Sequence, residues 1–133
     1  MAASTFDWSE YLKLAEELGK RTDEASLRSA ISRAYYYVFH LALKRAQAND
    51  FTFVTGGMHT QLWRVFKESP EPDCRKLGEI ASRLKRQRER ADYDSIFARV
   101  DEEIPGMLAD ARDFSTLLVK LPARHPNPKA MRQ

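Results

Sequence analysis

Cysteine is nearly missing from this chain. Cys74 is the sole thiol in 133 residues, which excludes an intrachain disulfide and any metal site built from several thiolates. That usage fits a reducing compartment, and a cytoplasmic location is the expectation. Glycine and proline number five and six, too few for a loop-dominated fold. No run approaches the ~18 uninterrupted apolar residues of a spanning helix, so no membrane is expected as a partner. Met1 to Asp7 hold no basic group ahead of an apolar stretch and predict no secretory leader. A glycine-rich phosphate loop, a nucleophile elbow and an internal repeat are also missing. The three histidines, His40, His59 and His125, are too scattered to predict a zinc site, and no cofactor is expected. Whatever chemistry the chain performs has to come from side chains on helices.

What is present suits a globular protein: 43% hydrophobic and 31% charged residues, in a length that fits one domain. The net charge of +3 is mild, but charges are segregated. Residues 75–90 hold seven Lys/Arg against Glu79 and Glu89, whereas residues 1–26 hold six acids against three bases. Such blocks read either as solvated helix faces or as a basic surface for phosphates.

Helical periodicity recurs along the chain. Residues 7–19 carry Trp8, Tyr11, Leu12, Ala15 and Leu18 on one face, with Asp7 or Ser9 as the start and Gly19 as the stop. Residues 23–48 form a long stripe through Leu27, Ile31, Ala34, Tyr35, Val38, Leu41 and Ala42 without Gly or Pro. A loop is predicted at 51–57, a short helix at 58–67 and a break at Ser69-Pro70-Glu71-Pro72. Further helices are predicted over 74–91, capped by Asp73, and over 101–121, with Pro105 near its start. The predicted organisation is an all-α, antiparallel four- to five-helix bundle over 1–121 and a basic, proline-containing flexible tail over 122–133.

Three segments carry a family resemblance. The run Ser29-Ala30-Ile31-Ser32-Arg33-Ala34-Tyr35-Tyr36-Tyr37-Val38-Phe39-His40 is similar to the long-helix signature of one branch of the HEPN domain family. His59, with Leu62 and Phe66 about one and two turns on, continues it. Leu84-Lys85-Arg86-Gln87-Arg88-Glu89-Arg90-Ala91-Asp92-Tyr93-Asp94 is similar to the branch's segment ending in Ala-Asp-Tyr. Order and spacing agree over residues 8–121. The resemblance implies a HEPN-like bundle that usually forms a homodimer and binds RNA or nucleotide. It further implies a partner protein such as a nucleotidyltransferase, in a toxin–antitoxin or defence system.

Many HEPN proteins are metal-independent endoribonucleases in which an Arg is followed, after a short gap, by a His. The Arg would hold the scissile phosphate and the His would move the proton. Here Arg88 is followed by Tyr93 and by no nearby His, and a tyrosine titrating near pH 10 is a poor shuttle at about pH 7. Arg33 and His40, with six residues between them, share a face of the long helix, about 10 Å apart along its axis. They are the alternative catalytic pair, working with the Arg88 segment. Otherwise His40 is a packing histidine and Arg33 pairs with Asp92 or another acid. Arg86, Arg88 and Arg90 are the candidate phosphate or RNA ligands, with Tyr36, Asp92 and Tyr93 orienting them. His59, after two glycines at a helix start, is a further candidate or else a capping histidine.

Overall fold

A computed structural model gives the structure of the chain, and residues 5–130 are described. Those residues form five α-helices and no strand: α1 (Ser9–Gly19), α2 (Glu24–Ala48), α3 (Met58–Lys67), α4 (Pro72–Tyr93) and α5 (Val100–Lys120). A 3₁₀ turn follows at Pro128–Ala130. No described helix is long and apolar enough to cross a membrane.

The start of α2 is set by Asp23, whose carboxylate accepts the Ser26 N–H at 3.0 Å and so satisfies one of the free donors of the first turn. From there α2 runs 25 residues with no breaker. Ala30, Ile31, Ala34, Tyr35, Val38, Ala42 and Ala46 are fully buried. Their small members let three neighbours approach at once: α1, α4 and α5 all pack on α2. Side-chain pairs give the directions. Trp8 meets His40 and Tyr11 meets Arg33, so α1 runs antiparallel to α2. Arg28 meets Ala91 and Tyr36 meets Arg88, so α4 is antiparallel as well. Arg45 reaches Leu118 and Arg28 lies by Phe97, so α5 runs alongside α2 in parallel. Burying side chains of the size of Ile31, Phe66 and Phe114, all fully enclosed, contributes about 1.5–3 kcal/mol each.

Two arginines of α2 satisfy the carbonyls that other helices leave open at their C-terminal ends. Arg28 donates to Ala91 O at 3.0 Å and Asp94 O at 2.6 Å, closing α4. Arg45 donates to Leu118 O at 2.8 Å and His125 O at 3.1 Å, closing α5 and the segment after it. A cation at a helix C-terminus also complements the helix dipole. Residues 122–130, which belong to the segment expected as a flexible tail, lie against this end of α2. Asn49 Nδ2 donates to Ala123 O at 2.9 Å, and Pro126 is among the fully buried side chains. The remaining tail residues, 131–133, lie outside the described residues.

α4 begins two residues earlier than expected, at Pro72, with Glu71 in the cap position and no side-chain cap from Asp73. Proline at the first helical position forfeits only an N–H that would have no partner there. It also ends later, at Tyr93, so Asp92 and Tyr93 stand on the last helical turn. Gly78 has a packing reason: a Cβ there would lie 2.7 Å from Lys67 Cγ and 3.2 Å from the Lys67 backbone N, so its absence lets α3 close on α4. Gly57, at φ 73°, supplies the left-handed turn that starts α3.

Candidate functional site

The α2, α3 and α4 helices meet around the ring of Tyr35, which is fully buried. A buried phenol hydroxyl needs partners, and this one has two. Trp63 Nε1–H, from α3, donates to Tyr35 Oη at 3.0 Å. Tyr35 Oη lies 2.6 Å from His59 Nδ1. Burial pushes the Tyr35 hydroxyl up to about 12, so it keeps its proton. Having accepted from Trp63, it donates that proton to His59 Nδ1, which assigns the ring hydrogen of neutral His59 to Nε2. The imidazole is also stacked on Phe39, ring centroids 4.1 Å apart. Burial first, then the charges of Arg88 and Lys85, hold the His59 pKa below its ordinary value. His59 is therefore a neutral hydrogen-bond donor at neutral pH.

Arg88 reaches into the same junction from α4. It is 8% exposed, an unusual state for a guanidinium. Its carbon sits 5.2 Å from the Tyr35 ring centre, 5.6 Å from Tyr36 and 5.8 Å from Tyr93. Three ring faces stabilise the cation through their quadrupoles. The nearest carboxylate is Asp92, one turn on, at a long 3.7 Å from Nη1. Asp92 also accepts from Ser32 Oγ at 3.3 Å. Arg88 Nε is buried without a hydrogen-bond partner. Arg28, bonded to Ala91 O and Asp94 O, holds the turn that carries Asp92 and Tyr93.

Several expected site residues are brought together here: Tyr36, His59, Arg88, Asp92 and Tyr93. Others are not. Arg33 and His40 do share a face of α2, but it is the face toward α1. Arg33 lies over the Tyr11 ring at 5.0 Å, and it makes no ion pair with Asp92, whose cation is Arg88. His40 is stacked on Trp8, centroids 3.4 Å apart and planes within 5°, and burial lowers its pKa. Arg86 and Arg90 are exposed and line a hollow with Arg83 and Gln87, the next face of α4 round from Arg88. Arg90 covers the Phe97 ring at 4.0 Å. Alternate positions on a helix differ by about 200° in direction, so Arg86 and Arg90 share a face that points away from the one carrying Arg88.

Tyr35, Trp63, Lys85 and Ser32 belong to the junction although nothing in their spacing marks them as site residues. The signal that was available is chemical: a tyrosine at a core position of α2 and a tryptophan on the inner face of α3 each bring one polar atom that must be satisfied. No group of three or more His, Cys, Asp or Glu among the described residues is arranged to hold a metal ion. The fold and junction together define an all-α helical bundle in which buried Arg88 and Tyr35 meet a half-buried His59. Compared with protein-family models, with curated protein sequences and with solved structures, the chain matches none.

Proposed function

We propose that this chain is a HEPN-like bundle that binds RNA or a nucleotide, with Arg88 as the anion-binding cation and His59 as the neutral donor beside it. One observation carries the reading: Arg88 is buried with its Nε unpartnered, and among the described residues its one carboxylate partner is at 3.7 Å. Desolvating a guanidinium costs several kcal/mol and is repaid only by good partners. A phosphate meeting the outer guanidinium nitrogens would bring the close negative charge that Asp92 supplies only at 3.7 Å, and guanidinium and phosphate match in geometry. The sequence resemblance in residues 29–40, 59–66 and 84–94 supports the same reading.

Metal-independent cleavage of RNA is the second reading, and the geometry moves its proton-transfer group. The histidine whose charge Arg88 opposes is His59, not His40. In the tautomer its network favours, neutral His59 offers an Nε2–H that can hydrogen-bond a phosphate oxygen, and its Nδ1 lone pair is taken by Tyr35; protonation of a leaving oxygen would require the imidazolium form. The homodimer, a nucleotidyltransferase partner and a toxin–antitoxin or defence setting rest on the resemblance. For the homodimer there is one further support: Tyr93, against Arg88, and Ile96, three residues on, are 75% and 82% exposed, apolar surface that a second copy would cover.

The test is binding of single-stranded RNA and of adenosine monophosphate to the intact protein in chelator, with Arg88→Met and Arg33→Met as the paired variants. Salt-sensitive binding that Arg88→Met removes and Arg33→Met leaves is the expected result. Equal binding by a folded Arg88→Met protein overturns the proposal. Cleavage in the same chelator that survives His59→Ala removes the second reading's proton donor.

A further inference from the structure

The outward faces of α3 and α4 carry a second feature. Thr60, Arg64 and Lys67 stand at helical spacing on the exposed side of α3, away from the inward Leu62 and Phe66 and next to Trp63. Gly78, Ser82 and Lys85 stand at the same spacing on α4. The two helices run antiparallel, since Lys67 lies against Gly78 at one end while Thr60 and Lys85 line the same groove at the other. The rows therefore face each other across a groove of about 300 Å³. Because Gly78 has no side chain, the stem of Lys67 lies down over α4 at the edge of the groove that Lys67 lines.

Charge in this groove is one-sided. Arg64, Lys67 and Lys85 line it against a single acid, Glu68, at the Lys67 end. Among the described residues none of the three cations is in an ion pair. The Thr60 and Ser82 hydroxyls add donors. Trp63 forms part of the wall but is 3% exposed and spends its N–H on Tyr35, so no ring face is offered for a base to stack on. The groove runs toward the Arg88–His59 junction: Lys85 is one turn from Arg88 on α4, and its charge bears on His59. Glu89 and Asp92 are the acids at that end. From Gly78 to Arg88 the helix rises about 15 Å, at ~1.5 Å per residue. That is too long for one phosphate.

We infer that the α3–α4 groove is a track for the sugar-phosphate backbone of a single-stranded oligonucleotide whose continuation enters the Arg88–His59 junction. The inference rests on the anion-binding reading for the junction itself, and adds the surface that separates an oligonucleotide from a mononucleotide. Backbone-only contact makes the groove indifferent to base sequence. A strongly acidic protein segment is the competing occupant that charge alone would permit.

The experiment measures fluorescence anisotropy of an oligouridylate of about ten nucleotides in chelator, over about 50–200 mM salt. The variant is Arg64→Gln/Lys67→Gln, two exposed positions whose loss leaves the core intact. Expected is a loss of about tenfold or more in oligonucleotide affinity and a salt slope shallower by about 1.4, at ~0.7 per phosphate contact on a single strand. Adenosine monophosphate, followed by chemical shifts of His59, should bind the variant as it binds the parent. Unchanged oligonucleotide affinity and slope overturn the inference. So does polyglutamate of matched charge competing as well as the oligonucleotide. Arg88→Met separates the two ideas: if it leaves adenosine monophosphate binding intact while Arg64→Gln/Lys67→Gln still weakens the oligonucleotide, the groove stands and the junction reading fails.

Discussion

α2 carries an arginine–histidine–aromatic cluster on each of two sides, made of the same residue types with different physics. Toward α1, Arg33 lies over Tyr11 and His40 over Trp8, and both polar side chains are half-buried with water at hand. Toward α3 and α4, Arg88 is enclosed by three tyrosine rings, and His59 is held by a hydrogen-bond chain that begins at a buried tryptophan. On the first side, stacking simply extends the hydrophobic cover and the charge remains solvated. On the second, the low-dielectric surroundings strengthen every electrostatic term and leave one guanidinium nitrogen without an acceptor. Similar residue types thus give a packing contact in one place and a candidate anion site in the other.

The strongest test of this contrast is Trp63→Ala beside Trp8→Ala. Trp63 is in the core, and its removal should cost about 3–5 kcal/mol in urea unfolding. Half-buried Trp8 should cost about 1–2 kcal/mol. Equal losses would mean that the α1 side is as tightly packed as the other.

Tyr35→Phe comes next. It leaves the Trp63 N–H buried and unpaired, and should destabilise by about 1–3 kcal/mol. Tyr11→Phe, whose ring still meets Arg33, should be within ~0.5 kcal/mol of the parent. Nitrogen chemical shifts of His59 should show Nε2 protonated in the parent and a mixed tautomer in Tyr35→Phe.

Acid sharpens the comparison further. Both imidazoles are held below their ordinary value in the folded chain. Between about pH 6.5 and the lower folded value, the unfolded chain binds more protons, so stability present above about pH 6.5 is lost as the pH falls through that window. Urea midpoints taken downward from neutral pH should fall for the parent. His59→Gln should flatten that profile more than His40→Gln, because Arg88 and Lys85 act on His59 in addition to burial. The reverse ranking would place the more constrained histidine on the α1 side.

The smallest effect expected is that of Arg33→Met. Loss of one half-exposed cation–ring contact should change stability by less than about 1 kcal/mol and leave RNA binding as in the parent. A binding loss as large as that of Arg88→Met would erase the distinction between the two sides.

Periodicity alone located the five helices to within a few residues, because each is an amphipathic segment bounded by Gly, Pro, Asp or Asn, and those are local properties. α3 is the clearest case: Gly57, then inward Leu62, Trp63 and Phe66, fix it from Met58 to Lys67. The basic character of α4 and the candidacy of Arg88, Tyr36, Asp92 and His59 were also legible, from residue types and a family likeness. Which of these side chains meet was decided by tertiary structure. Arg33 and His40 are correctly read as sharing a face, but spacing along one helix cannot say which neighbour covers that face. The docking of α1 there, and of α3 and α4 on the opposite side, follows from how the whole set of apolar stripes packs together. The same holds for Arg28 and Arg45, which in sequence are ordinary helix-surface cations and in the fold close the ends of α4 and α5. A residue's chemistry is written in its side chain, but its pKa, its exposure and its partners depend on groups brought in from distant parts of the chain.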